Sequence, residues 1–190
     1  MGWMNQIGGL LNQYGGNQTN PAQPPQSIDD DFDQVAQHAP PQALAGGLAQ
    51  AFRSDQTPPF GNMVSQMFGQ SNGVQRADIV NTLIGALGPT VVAQMLMRNM
   101  GGSGGLGGAG GILGGLPALL NGGQTQVTPA QAEQLPTQFI EEAATQAQQK
   151  DPSIIDQVSG FYAQQPALVK TLGGAALAIA LAKLAQGDNR

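Results

Sequence analysis

The chain has 190 residues and a formal net charge of -5, with 41% hydrophobic and only 10% charged residues, 28 glycines, 13 prolines, one histidine and no cysteine. The lack of cysteine excludes thiol nucleophiles, disulfides and thiolate metal sites, and one histidine excludes motifs that need two. The acidic balance argues against nucleic acid, which is bound through clustered Lys and Arg, and so charge-poor a surface offers little repulsion against association.

No charged side chain precedes Asp29, and the early apolar residues are spaced rather than continuous. A secretory peptide is therefore not expected, and Gln6 stands where myristoylation after Gly2 wants Ser or Thr. A cytoplasmic protein is the expectation. Trp3, Met4, Ile7, Leu10, Leu11 and Tyr14 recur at helical spacing and predict an amphipathic helix over residues 1–14. Gly8 and Gly9 weaken it by about 1 kcal/mol each relative to Ala, and a helix this short needs a surface to lie on. Residues 15–27 form a linker rich in Gly, Gln, Asn and Pro. On that tether the helix is free to fold back on its own domain, to dock on another subunit or partner, or to lie on a membrane.

Ser27 reads as the cap of the next helix, with Asp29, Asp30, Asp31 and Asp33 as carboxylates at its positive end. Phe32, Val35 and Ala36 form its apolar side, and Pro40-Pro41 ends it. A helix from Gln42 to about Arg53 follows, with Pro41 suited to its first turn and Leu44, Leu48, Ala51 and Phe52 on one face, then a break at Thr57-Pro58-Pro59. Phe60, Met63, Val64, Met67 and Phe68 give another stripe. Ser71 or Asn72 caps a helix carrying Val80, Leu83, Ile84 and Leu87, stopped at Gly88-Pro89. Thr90 to Met100 resumes with Val91, Val92, Met95 and Leu96. Ile79 to Met97 carries no charge and is long enough to raise a membrane span. Gly88-Pro89, Asn81, Thr82, Thr90 and Gln94 interrupt it, which favours a helical hairpin in a soluble core.

Gly101 to Gly115 is mostly glycine, and such a tract reads as a linker between helical units. Beyond it, Thr128, Pro129 and Gln131 read as cap, first-turn proline and capping-box partner. Pro136 opens a helix with Phe139, Ile140, Ala143, Ala144 and Ala147 on one face and Lys150 at its negative end. Asp151-Pro152 opens another, with Ile154, Ile155, Val158, Phe161 and Tyr162. Pro166 opens the last, expected as one helix through Gln186. It is apolar nearly all round, on more faces than a small bundle covers by itself.

Chemical motifs are weak. Gly105, Gly107 and Gly110 match Gly-x-Gly-x-x-Gly, but no strand precedes them and no acid follows at the required spacing. Gly107, Gly111 and Gly115 would line a smooth face if that tract were helical, at a large cost in helix propensity. Asp29, Asp31 and Asp33 begin a calcium-loop pattern that Gln34 and Pro40 break. His38 sits at a helix end. Glu141 and Glu142 diverge by about 100° on a helix, poor geometry for a catalytic pair. Arg98 has no partner that the sequence names.

The segments MGWMNQIGGLLNQYGG and VTPAQAEQLP, ahead of a helical end rich in small residues, resemble the YidB-like group of bacterial proteins. That resemblance implies a small, Gly- and Gln-rich helical chain of bacterial source and brings no activity with it.

The expectation is an all-α protein with helical regions at 28–100 and 128–187, joined by a Gly-rich linker at 101–127 and preceded by the helix at 1–14 on its linker. No enzymatic activity, cofactor, metal or small-molecule substrate is expected. The expected partner is the chain itself, in a homo-oligomer or filament. Trp3, Met4, Ile7, Leu10, Leu11 and Tyr14 would insert into a groove near Phe161, Leu172 and Leu177 of the next copy. The alternative is a membrane-associated protein that uses the same helix and the glycine tract.

Overall fold

The computed structural model describes residues 3–15, 20, 23–101 and 126–186. The glycine motifs at Gly105 to Gly115, and with them most of the 101–127 linker, lie outside the described residues. Within those residues the chain is all-α, with eleven helices and no strand. In chain order they are α1 Trp3–Gly15, α2 Ile28–His38, α3 Pro41–Phe52, α4 Phe60–Gln70, α5 Gly73–Leu87, α6 Pro89–Gly101, α7 Pro129–Ala132, α8 Thr137–Lys150, α9 Ile154–Tyr162, α10 Pro166–Lys170 and α11 Gly174–Gln186.

Local chemistry sets most of these ends. Asn72 and Gln75 form a reciprocal capping box at the start of α5, each side chain taking the other's backbone N–H at 3.0 Å. Gln131 accepts the Thr128 backbone N–H at 2.9 Å at the start of α7. Prolines occupy the first turns of α3, α7 and α10, where no backbone donor is needed. Gly88 ends α5 with φ 88° and donates its N–H to Ile84 O at 2.8 Å.

Two helix boundaries differ from the sequence expectation: the helix expected to open at Asp151-Pro152 begins at Ile154, with Asp151 capping the end of α8. The expected single helix from Pro166 to Gln186 is two, α10 and α11, separated at Thr171–Gly173. Gly173 sits at φ 85°, a backbone conformation that side-chain-bearing residues rarely adopt.

The chain forms two compact units: Met1–Pro59 with Ile155–Arg190, and Phe60–Ile154. This corrects the division at 28–100 and 128–187. Helices on the two sides of the glycine tract pack against each other, so the tract is no boundary between cores.

In the first unit α3 packs on α11, burying Leu44, Leu48, Ala51 and Phe52 together with Ala176, Leu177, Ala180, Leu181 and Leu184. The helix α2 lies on α10 and α11, and α1 lies on α11 and α2. Lys170 pairs with Asp33 at 2.6 Å, and Arg53 with Asp156 at 2.9 Å. The apolar surplus expected of the last helix does not exist, because α3, α1 and α2 of the same chain cover α11. Among the described residues, Val74 in the other unit is the one large hydrophobic side chain left exposed.

In the second unit α4 packs on α8, and α5 on α7 and α8, with α6 against α5 and α8. Phe60, Met63, Val64, Met67 and Phe68 bury with Phe139, Ile140, Ala143, Ala144 and Ala147. Gly61 permits the close crossing, since a Cβ there would stand 2.5 Å from the Glu141 carbonyl oxygen. Lys150 reaches Leu87 O at 2.7 Å and so closes the carbonyl end of α5. The Arg98 guanidinium lies 3.9 Å from the Glu142 carboxylate. The uncharged stretch at 79–97 is broken at Gly88 into α5 and α6, and no described helix is long and apolar enough to cross a membrane.

Candidate interaction site

The helix α1 turns one face inward. Ile7, Leu11 and Tyr14 are buried and Leu10 is half-buried, while Asn12 and Gln13 face outward. The spacing i, i+4, i+7 puts the three buried side chains on one stripe, which lies on α11 and α2. At its end Gly15 meets Ala185: a Cβ at residue 15 would stand 2.9 Å from the Ala185 Cβ. The side chains of Trp3 and Met4 lie outside the described residues.

The partner face comes from α2 as much as from α11. Ile28, Asp31, Phe32 and Val35 are buried on one stripe of α2. Asp31 is thus a carboxylate inside an apolar row. Burying a charge is costly unless donors meet it, and two hydroxyls do. Tyr14 Oη donates to Asp31 Oδ2 in a short contact, and Ser27 Oγ donates to the same oxygen at 3.0 Å. Burial, reinforced by the hydrogen bond to Asp31 and its charge, pushes the Tyr14 phenol well above its ordinary range. The phenol therefore stays a neutral donor. Ser27, read from sequence as a backbone cap, makes no side-chain cap bond to α2 and holds Asp31 instead.

The remaining expected residues lie on α9, between α10 and α11, and on α11. Leu177 is fully buried on α11, the helix that carries α1, and Leu172 is buried between α10 and α11. Phe161 is half-buried on α9, edge-on to Tyr162 with ring centroids 5.2 Å apart. The structure brings together α1, α2 and α11.

Sequence reasoning missed Asp31 as a site residue, although a signal was present. Positions 28, 31, 32 and 35 share a helix face, so an aspartate at 31 interrupts an apolar row. The other charged candidates form no comparable centre. His38 is exposed and bonds through Nδ1 to its own helix at Gln34 O, 2.8 Å away. The Lys170 ammonium is held above its ordinary range chiefly by its hydrogen bond to Asp33. Among the described residues, no group of three His, Asp or Glu side chains is placed to hold a metal ion.

No family model, curated protein or solved structure matches the chain.

Proposed function

We propose that this is a structural protein that acts by associating with itself, through exchange of α1 between copies. The observation that carries the reading is the seat of α1. Everything that forms the seat lies at residue 27 or later in the chain, and α1 occupies it with one face. The same helix from a second copy would make the same contacts, so exchange creates an interface without new complementarity. Reciprocal exchange closes a dimer, and one-way exchange from copy to copy gives a ring or an open filament. Pro24 is held against Gly174, so residues 16–23 are the span that reaches a neighbour. Fully extended they cover at most about 26–29 Å. The weakly charged surface supports the reading, because few like charges oppose close approach of copies.

The test is light scattering of the intact chain beside a chain that begins at Ser27, both at micromolar concentration. The intact chain is expected to form dimers or larger species, and the shortened chain to lose them while keeping its helix content. If both run as compact monomers, self-association through this helix is wrong.

A further inference from the structure

The seat of α1 contains one polar feature that apolar packing does not require. We propose that Asp31 is the specificity-determining residue of this seat, and that Tyr14 is the group it selects, so that the pair latches α1 in place and governs when it exchanges. This rests on the seat described above and names what regulates it.

The argument starts from desolvation. With α1 away, water can hydrate the Asp31 carboxylate. With α1 docked, Asp31 is 7% exposed and Tyr14 2% exposed, so both give up hydration. The phenol offsets this with a charge-assisted hydrogen bond, the stronger kind. Ser27 donates to the same oxygen from α2's own end, so this donor does not depart with α1. It therefore orients the carboxylate without discriminating between occupants. A helix with the same apolar stripe but no hydroxyl at position 14 would bury the carboxylate one donor short. A site with a buried acceptor rejects such an occupant, which is discrimination by penalty rather than by added attraction. The apolar side chains Ile7 and Leu11 supply affinity that many amphipathic helices could match. The fitting occupant is α1 of this chain or of a second copy, because it carries Tyr14 in register. A shift of α1 by one residue would move the phenol about 100° around the helix and lose the bond. The latch thus fixes register as well as identity.

Amide hydrogen exchange in the full chain tests this, read over Trp3–Gly15 with the amides of α3 as internal reference. Tyr14→Phe is expected to speed exchange in α1 about tenfold or more while α3 is unchanged, since it leaves the carboxylate short of a donor. Asp31→Leu combined with Tyr14→Phe removes both polar groups and is expected to bring α1 protection back to within about threefold of wild type. If Tyr14→Phe leaves α1 protection within about twofold of wild type, the latch is refuted. If Tyr14→Phe unfolds the unit, so that α3 loses protection too, the double variant decides. Recovery of α1 protection then supports the latch, and failure to recover overturns it. Light scattering separates the two proposals. A monomeric wild type whose α1 protection responds as stated loses self-association and keeps the latch; an associating chain whose protection is unaffected by Tyr14→Phe loses the latch alone.

Discussion

Gly47 on α3 and Ala180 on α11 meet backbone to backbone. A Cβ at residue 47 would stand 2.7 Å from the Ala180 carbonyl oxygen and 3.3 Å from its carbon, while one at Gly46 would meet nothing within 4 Å. Adjacent glycines of one helix therefore do opposite things. Gly46→Ala is expected to stabilise the protein by about 0.5–1 kcal/mol, because it removes the helix penalty of glycine and touches nothing. Gly47→Ala gains the same propensity but forces two helix backbones apart. Overpacking a close contact costs about 1–3 kcal/mol, so the net effect is destabilising. Urea unfolding of the two variants checks the pair, and matching signs would remove the backbone contact as the cause.

The same contact explains why the helices were legible in the sequence and their pairing was not. Caps and stripes are local: Asn72, one of two caps the sequence offers, Thr128 with Gln131, and the apolar faces of α4 and α8 all stand where local sequence signals put them. Pairing across the glycine tract depends on which helices can approach closely. Gly61 against α8 and Gly47 against α11 decide that, and a glycine in a helix reads locally only as a weakness. Punctuation by a long glycine tract suggested two consecutive regions, whereas long-range packing joins residues before it to residues after it. The break at Gly173 was hidden for a related reason, since the apolar pattern continues on both sides of it. By sequence Asp31 reads like Asp29, Asp30 and Asp33, because the first turn favours any carboxylate. Only its place on the buried face sets it apart.

Alkaline pH should loosen the first unit. The Tyr14 phenol is raised above its ordinary value near 10, so its contribution is complete below about pH 10 and is lost as pH rises toward the folded value. Lys170 is raised by Asp33, so its contribution is likewise complete below its ordinary value of about 10.4 and is lost above it. Helix content followed by circular dichroism should fall above about pH 10. Tyr14→Phe and Lys170→Met should each flatten that dependence. A wild-type curve flat to the onset of general alkaline unfolding, and unchanged in both variants, would count against these linkages.

Gly173→Ala tests the turn between α10 and α11. The added methyl is strained at φ 85° even though no neighbour lies within 4 Å of it. A cost of about 1–2 kcal/mol is expected from the backbone alone. Gly173→Asn should cost less, since asparagine tolerates this region better than alanine. Thermal denaturation ranks the three chains, and alanine equal to asparagine would point away from backbone strain.

Asn81 carries the last prediction. Its side chain faces the backbone of Val127 with both ends: Nδ2 donates to Val127 O at 3.2 Å, and Oδ1 accepts the Val127 N–H at 2.6 Å. A side-chain amide here imitates a neighbouring backbone and fastens residue 127 to α5. Both groups are half-buried, so losing their partner costs more than losing an exposed bond. Asn81→Ala is expected to destabilise the second unit by about 1–3 kcal/mol. Asn81→Asp keeps the acceptor for the Val127 N–H but loses the donor and sets a carboxylate against a carbonyl oxygen, so at neutral pH it should be no better than alanine. Limited proteolysis should show earlier cleavage near Val127–Ala132 in both variants, with the helices of the first unit cut no faster. Unchanged cleavage and an unchanged unfolding midpoint would mean that packing of α7 on α5, rather than the amide clamp, holds this segment.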